Sequence, residues 1–276
     1  LRREMKAALV ACHRWIVPFI GSSSLGSRTV LVMPYMKNGN LLQYLQTRPL
    51  ASRRPFILQV AEAVHFLHSS ARLVHGDLKC ENVLVSDEGN ALLADFGLST
   101  VAHDEVDASP RQRPAPFFPR PRSPAASVSS SSSRTTSSVR QQFTLRFAAP
   151  ELLFGPEADV ECGPQGCDRP AGKTQKSDVY AYGMLVVQAF TGTQPWPLLQ
   201  RDQVPLYVYS RTPYPRPLGL AVFYGLDEHW WSVCLQCFAF AARDRPTMHD
   251  VWTDLSVSIN VTFTSGDCIE SHFLDG

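Results

Sequence analysis

The chain has 276 residues, is 44% hydrophobic and carries a formal charge of only +1. That length and apolar share suffice for one large domain or two lobes with a proper core, and the balanced charge argues for no nucleic-acid partner. No apolar run reaches the length of a bilayer span, and the N-terminus lacks a cleavage pattern, so no membrane partner is expected and a cytoplasmic location is.

Residues 1–12 read as a helix, with Leu1, Met5, Ala8, Leu9 and Cys12 at helical spacing. The apolar runs Ile16–Ile20 and Thr29–Met33 flank the turn-rich Gly21–Ser27 and read as a β-hairpin. Asn38-Gly39-Asn40 is a turn before a short helix, Leu41–Gln46. A longer helix spans about Pro55–His68, with Ile57, Val60, Ala61, Val64 and Leu67 on one face. Strand-like runs follow at Arg72–Val74, Asn82–Val85 and Ala91–Ala94.

The composition then changes. Residues 101–142 are rich in Ser, Pro and Arg, and such a stretch buries too little apolar surface to offset an ordering entropy of about 1–2 kcal/mol per residue. It reads as a disordered insertion containing Ser109-Pro110 and Ser123-Pro124. A phosphorylated regulatory loop, a tolerated surface insertion and a translated intron all fit it. Residues 155–176 form a second, glycine-containing loop. Ser177–Thr191 is apolar nearly all round and stops at Gly192, as a buried helix does. More helix is expected to about residue 256, and 257–276 carries no clear pattern. Seven scattered cysteines read as free thiols in a reducing compartment. Asn260-Val261-Thr262 matches a glycosylation sequon that a cytosolic chain never uses.

The chemistry concentrates in Val74-His75-Gly76-Asp77-Leu78-Lys79-Cys80-Glu81-Asn82-Val83-Leu84-Val85. An Asp five residues before an Asn, on a loop between short strands, can aim both side chains at one point. Asp95-Phe96-Gly97 follows the apolar run Ala91–Ala94. Asn82 and Asp95 supply the oxygen ligands that hard Mg²⁺ prefers, leaving Asp77 to accept a proton from a hydroxyl.

These motifs resemble those of the eukaryotic protein kinase family. Ala149-Pro150-Glu151 looks like the motif closing the activation segment, and Ser177-Asp178-Val179-Tyr180-Ala181-Tyr182-Gly183 like the start of the central buried helix. Arg243-Asp244-Arg245-Pro246 resembles the late motif whose arginine would pair with Glu151. The resemblance implies an α+β, two-lobed kinase fold with a mostly helical C-lobe. It implies a partial N-lobe at 1–36, a C-lobe at 37–256 and a tail at 257–276. ATP and Mg²⁺ are the implied cofactors and a protein hydroxyl the implied substrate; oligomeric state is left open. Asp77 and Lys79 would be catalytic, and Asn82 and Asp95 would hold the metal. Glu4 resembles the helix glutamate that holds a nucleotide-binding lysine. Met33 stands at the gatekeeper position, Pro34-Tyr35-Met36 would be the hinge, and Leu84 would lie under the adenine. Ala8, Phe19, His75 and Phe96 would form a hydrophobic spine, and Asp178 would brace the catalytic loop.

Lys79, two residues after Asp77, and Thr144, five before Ala149, follow the Ser/Thr-kinase pattern. The hinge and Arg146-Phe147-Ala148 look most like the tyrosine-kinase-like branch of those enzymes. Two departures stand out. Gly76 replaces the arginine that pairs with an activation-segment phosphate in the family, so activity is expected to depend little on that switch. The Gly-rich loop and the lysine strand that belong before Glu4 are not in residues 1–3, so residues 1–276 alone are expected to bind ATP weakly. An N-terminally truncated Ser/Thr kinase is therefore the leading expectation, a non-catalytic pseudokinase scaffold the alternative, and a small-molecule kinase of the same fold a third.

Overall fold

Residues 2–26, 28–101, 144–155 and 172–266 are described in the computed structural model of the chain. They form a mixed helix-and-strand fold with few, short strands and a helical C-terminal part. Helix α1 (Arg2–Val10) precedes an antiparallel hairpin of β1 (Gly21–Leu25) and β2 (Arg28–Val32), in which Gly21 faces Val32. After α2 (Leu41–Thr47) and α3 (Arg54–Ser69) come β3 (Leu73–Val74), β4 (Val83–Val85), β5 (Ala91–Leu93) and β6 (Thr100–Val101). β4 pairs with β5, placing Leu84 opposite Leu92, and β3 pairs with β6, both antiparallel. The helical part comprises α4 (Pro150–Phe154), α5 (Gln175–Thr191), α6 (Val204–Tyr209), α7 (Leu220–Phe223), α8 (Glu228–Cys237) and α9 (Met248–Gly266).

Helix α5 is the structural axis. Thr174 and Ser177 form a reciprocal capping box at its start, and Gly192, at φ +69°, ends it in the left-handed conformation that costs glycine least. Every residue from Ser177 to Phe190 is buried, as the lack of a polar face predicts. A Cβ on Gly183 would fall 2.8 Å from the Cβ of Cys237, so the glycine lets α8 approach the axis closely. Helix α3 begins with Pro55 in its first turn, buries Ile57, Val60, Ala61, Val64 and Leu67, and packs on α9 and β5. The Tyr182 hydroxyl donates to the Ile57 carbonyl at 3.1 Å, joining α5 to α3.

The segment after α1 is fastened to this body. The Arg14 guanidinium (2.9 and 2.6 Å) and the Trp15 indole N–H (2.8 Å) all donate to the Glu62 carboxylate on α3. Leu93 N–H donates to the Trp15 carbonyl at 2.8 Å, and Val17 N–H to the Leu93 carbonyl at 2.9 Å.

The hairpin expectation is half right. Its second strand is β2, but Ile16–Ile20 is not its first: Ile16 and Val17 are buried beside Leu93, and the turn-rich Gly21–Leu25 forms the strand. Helix α9 also runs on to Gly266, past the expected end near 256. Cys12, Cys80, Cys234 and Cys237 are free thiols. The Ser/Pro/Arg-rich stretch from 102 to 142, Cys162, Cys167 and the chain after 266 lie outside the described residues. No described helix is long and apolar enough to cross a membrane.

Candidate active site

The loop between β3 and β4 is held from beneath by one buried carboxylate. Asp178, 1% exposed in the first turn of α5, accepts from the backbone N–H of His75 at 2.7 Å and of Gly76 at 2.8 Å, and meets His68 Nε2 at 2.9 Å. A buried polar group left unpaired is costly, and here two hydrogen bonds to one side chain fix consecutive peptide units. The bracing expected of Asp178 is thus present. Farther along the loop, Gln188 of α5 accepts from Cys80 N–H at 2.9 Å, a support that the motifs did not flag.

Asp77 is the hub of the site. Its Oδ2 accepts from Lys79 Nζ at 2.6 Å and from Asn82 Nδ2 at 2.9 Å, and its Oδ1 accepts from the Thr144 hydroxyl at 2.9 Å. Lys79 Nζ also reaches Thr144 Oγ1 at 3.1 Å. Burial alone would raise the Asp77 pKa, but Lys79, Thr144 and Asn82 outweigh it and hold the carboxyl below its ordinary range. A carboxylate offers about four lone-pair sites, so these three donors leave room for one more hydroxyl.

Asp95 follows directly on β5. The Ala94 N–H donates to the Asn82 carbonyl at 2.9 Å, so Asp95 leaves the chain beside the loop that carries Asn82. Its backbone is left-handed, at φ +63°, a conformation uncommon outside glycine that clusters at functional sites. The carboxylate is exposed and accepts from Gly97 N–H at 3.2 Å. Because the Asn82 amide nitrogen faces Asp77, its oxygen is the atom left to offer a ligand. Two neutral or anionic oxygens, with phosphate oxygens to complete the shell, suit Mg²⁺. No cluster of three His, Cys, Asp or Glu side chains among the described residues offers a transition-metal site.

The other expected residues divide. His75 is fully buried, meets the Phe96 ring at a tilt with centroids 5.4 Å apart and reaches the Ala94 carbonyl at 3.0 Å; burial lowers its pKa and favours the neutral ring. Ala8 and Phe19 are half-buried and lie outside both buried apolar clusters. Met36 and Leu84 pack with Val17, Leu92 and Ala94 in a small apolar cluster. Met33 and Tyr35 are 43% and 85% exposed, and Glu4 is half-buried on α1, making none of these hydrogen bonds. A cleft of about 530 Å³ is lined by Pro34, Tyr35, Met36 and Leu92 and extends to Asp87 and Asn90, but Asp77, Asn82 and Asp95 do not line it.

Downstream, Arg245 is fully buried and donates to both Glu151 oxygens at 2.8 Å, the expected pairing. Its remaining N–H groups meet the carbonyls of Ala239, Lys176 and Phe240 at 2.8–3.0 Å.

The model of the protein kinase domain matches residues 1–255, and the chain belongs to that family. It is 38% identical to human NUAK family SNF1-like kinase 2 over 37% of its own length and 17% of that protein. It is 26% identical to a putative leucine-rich repeat receptor-like serine/threonine-protein kinase of Arabidopsis thaliana, At2g24130, over 91% of the chain and 25% of the relative. Tyrosine-protein kinase csk-1 of Caenorhabditis elegans is 25% identical over 93% of the chain and 39% of its own length. The chain therefore spans well under half of the length of these relatives.

Proposed function

We propose that the protein is an active serine/threonine kinase that transfers the γ-phosphoryl of ATP to a protein hydroxyl. The observation that carries this reading is the Asp77 carboxylate, oriented by Lys79, Asn82 and Thr144 with one acceptor site to spare. Its depressed pKa makes it a weak base that orients the hydroxyl first and takes the proton late, which suits a loose transition state. Lys79 steadies the transferred phosphoryl, and Thr144 favours a Ser or Thr substrate. Asn82 and Asp95 would hold Mg²⁺, which would supply charge neutralisation at the phosphate oxygens. The adenine rests on Leu84 and meets the backbone of Met33, Pro34, Tyr35 and Met36, with 1–36 as the N-lobe, 37–256 as the C-lobe and 257–276 as a tail. Most of the acceleration is positioning and electrostatics.

The test is transfer of radiolabelled phosphate from ATP to a generic protein substrate by the full-length protein. Asp77→Asn is expected to lower kcat by about 10²–10⁴-fold, and Asp95→Ala to abolish metal-dependent transfer. Gly76 favours the second reading, a non-catalytic scaffold. Unaltered ATP binding with no transfer above the Asp77→Asn background would decide for it.

A further inference from the structure

Gly76 stands at φ +79°, where a side chain is strained, and the space beside it is already filled. A Cβ built there would lie 2.5 Å from Cδ and 3.1 Å from Nζ of Lys173, and 3.0 Å from the Leu98 carbonyl oxygen. The lysine stem thus runs across the face of the glycine. Its ammonium donates to the Leu98 carbonyl at 3.5 Å, immediately after Asp95-Phe96-Gly97. Its root is rigid, because the next residue is Thr174, the N-cap of α5, with Ser177 N–H donating to the Thr174 hydroxyl at 3.1 Å. Leu98 in turn adjoins Ser99, which ties back to the same loop through its hydroxyl on the His75 carbonyl at 3.2 Å.

We propose that Lys173 is a positioning residue: a built-in cation that threads the opening left by Gly76 and braces the segment after Asp95 against the loop carrying Asp77. The charges around it fit the role. Burial pulls its pKa below the ordinary lysine range, while Asp77 and Asp178 act to keep it charged and Lys79 opposes them. Residue 76 must then be glycine because any side chain there displaces the brace, not merely because of its backbone angle. The kinetic consequence rests on the kinase reading above; the brace itself does not.

A double-variant cycle on the full-length protein tests it. Lys173→Ala and Gly76→Ala are each expected to lower kcat about tenfold with the ATP KM little changed. The Gly76→Ala/Lys173→Ala pair is expected to lose about tenfold rather than a hundredfold, because both changes remove one interaction. The backbone strain of alanine at position 76 is common to both backgrounds and cancels. Lys173→Arg is expected to keep most of the turnover. Independently of activity, hydrogen exchange reads the brace at Ser99, whose N–H donates to the Phe96 carbonyl at 3.1 Å. Lys173→Ala is expected to speed that exchange about tenfold without changing the exchange of α5. Unchanged Ser99 exchange, or kinetic losses that multiply, would overturn the proposal. Faster Ser99 exchange in a protein that transfers no phosphate would uphold the brace and overturn the kinase reading.

Discussion

Asp77 shows how three neighbours can set the behaviour of one carboxylate. Each donor on it favours the ionised form, so Asp77 stays charged to lower pH than an ordinary carboxylate does. Removing a donor reverses this. Thr144→Val deletes the hydrogen bond to Oδ1 and is expected to move the acid limb of kcat/KM to higher pH, with a loss in kcat of about threefold to tenfold. A pH–rate profile of the variant against the parent checks both, and an unmoved acid limb would separate Thr144 from the titrating group. Most of this cluster was legible in the sequence because Asp77, Lys79 and Asn82 are close in the chain, so loop geometry alone brings them together. Thr144 was found through its spacing from Ala149. Lys173 was not, because its contact with Gly76 exists only once α5 has docked; the glycine at position 76 was the single visible sign.

Among the elements, α4 and the turn before α9 are locked by Glu151 and Arg245. The guanidinium uses all of its donor positions with no exposed side-chain surface, so its partner depends on it wholly. Arg245→Met leaves a largely buried Glu151 carboxylate unpaired and is expected to cost about 3–5 kcal/mol. Urea denaturation of the full chain measures this, and a loss below about 1 kcal/mol would place the pair with weak surface bridges. Legibility varied sharply among the elements. Helices α3 and α5 were readable because burial imposes their pattern, on one stripe in α3 and all round in α5. Strand β1 was not, because four of its five residues, Ser22 to Leu25, are exposed and a strand with two wet faces leaves no alternation to read. The apolar Ile16 and Val17 drew attention instead, and their burial comes from Leu93 rather than from a hairpin partner.

At the scale of the whole molecule, family and helical body follow from motifs in the right order, whereas the hinge at 34–36 is an expectation from family position alone. Met33 and Tyr35 are named by position in the family, and position says nothing about what covers them. Gly76 carries a global expectation of its own. With no arginine before Asp77 to receive a phosphate, phosphatase-treated and untreated full-length protein are expected to turn over within about twofold of each other; abolished turnover after treatment would refute this. The Glu62 clamp has a mechanical corollary. Because Arg14, Trp15 and Val17 are bolted to α3 and β5, any swing of α1 must have its fulcrum before His13. The lever arm is then only the helix itself, and a ligand that tilts it need not disturb the β5 strand that leads into Asp95.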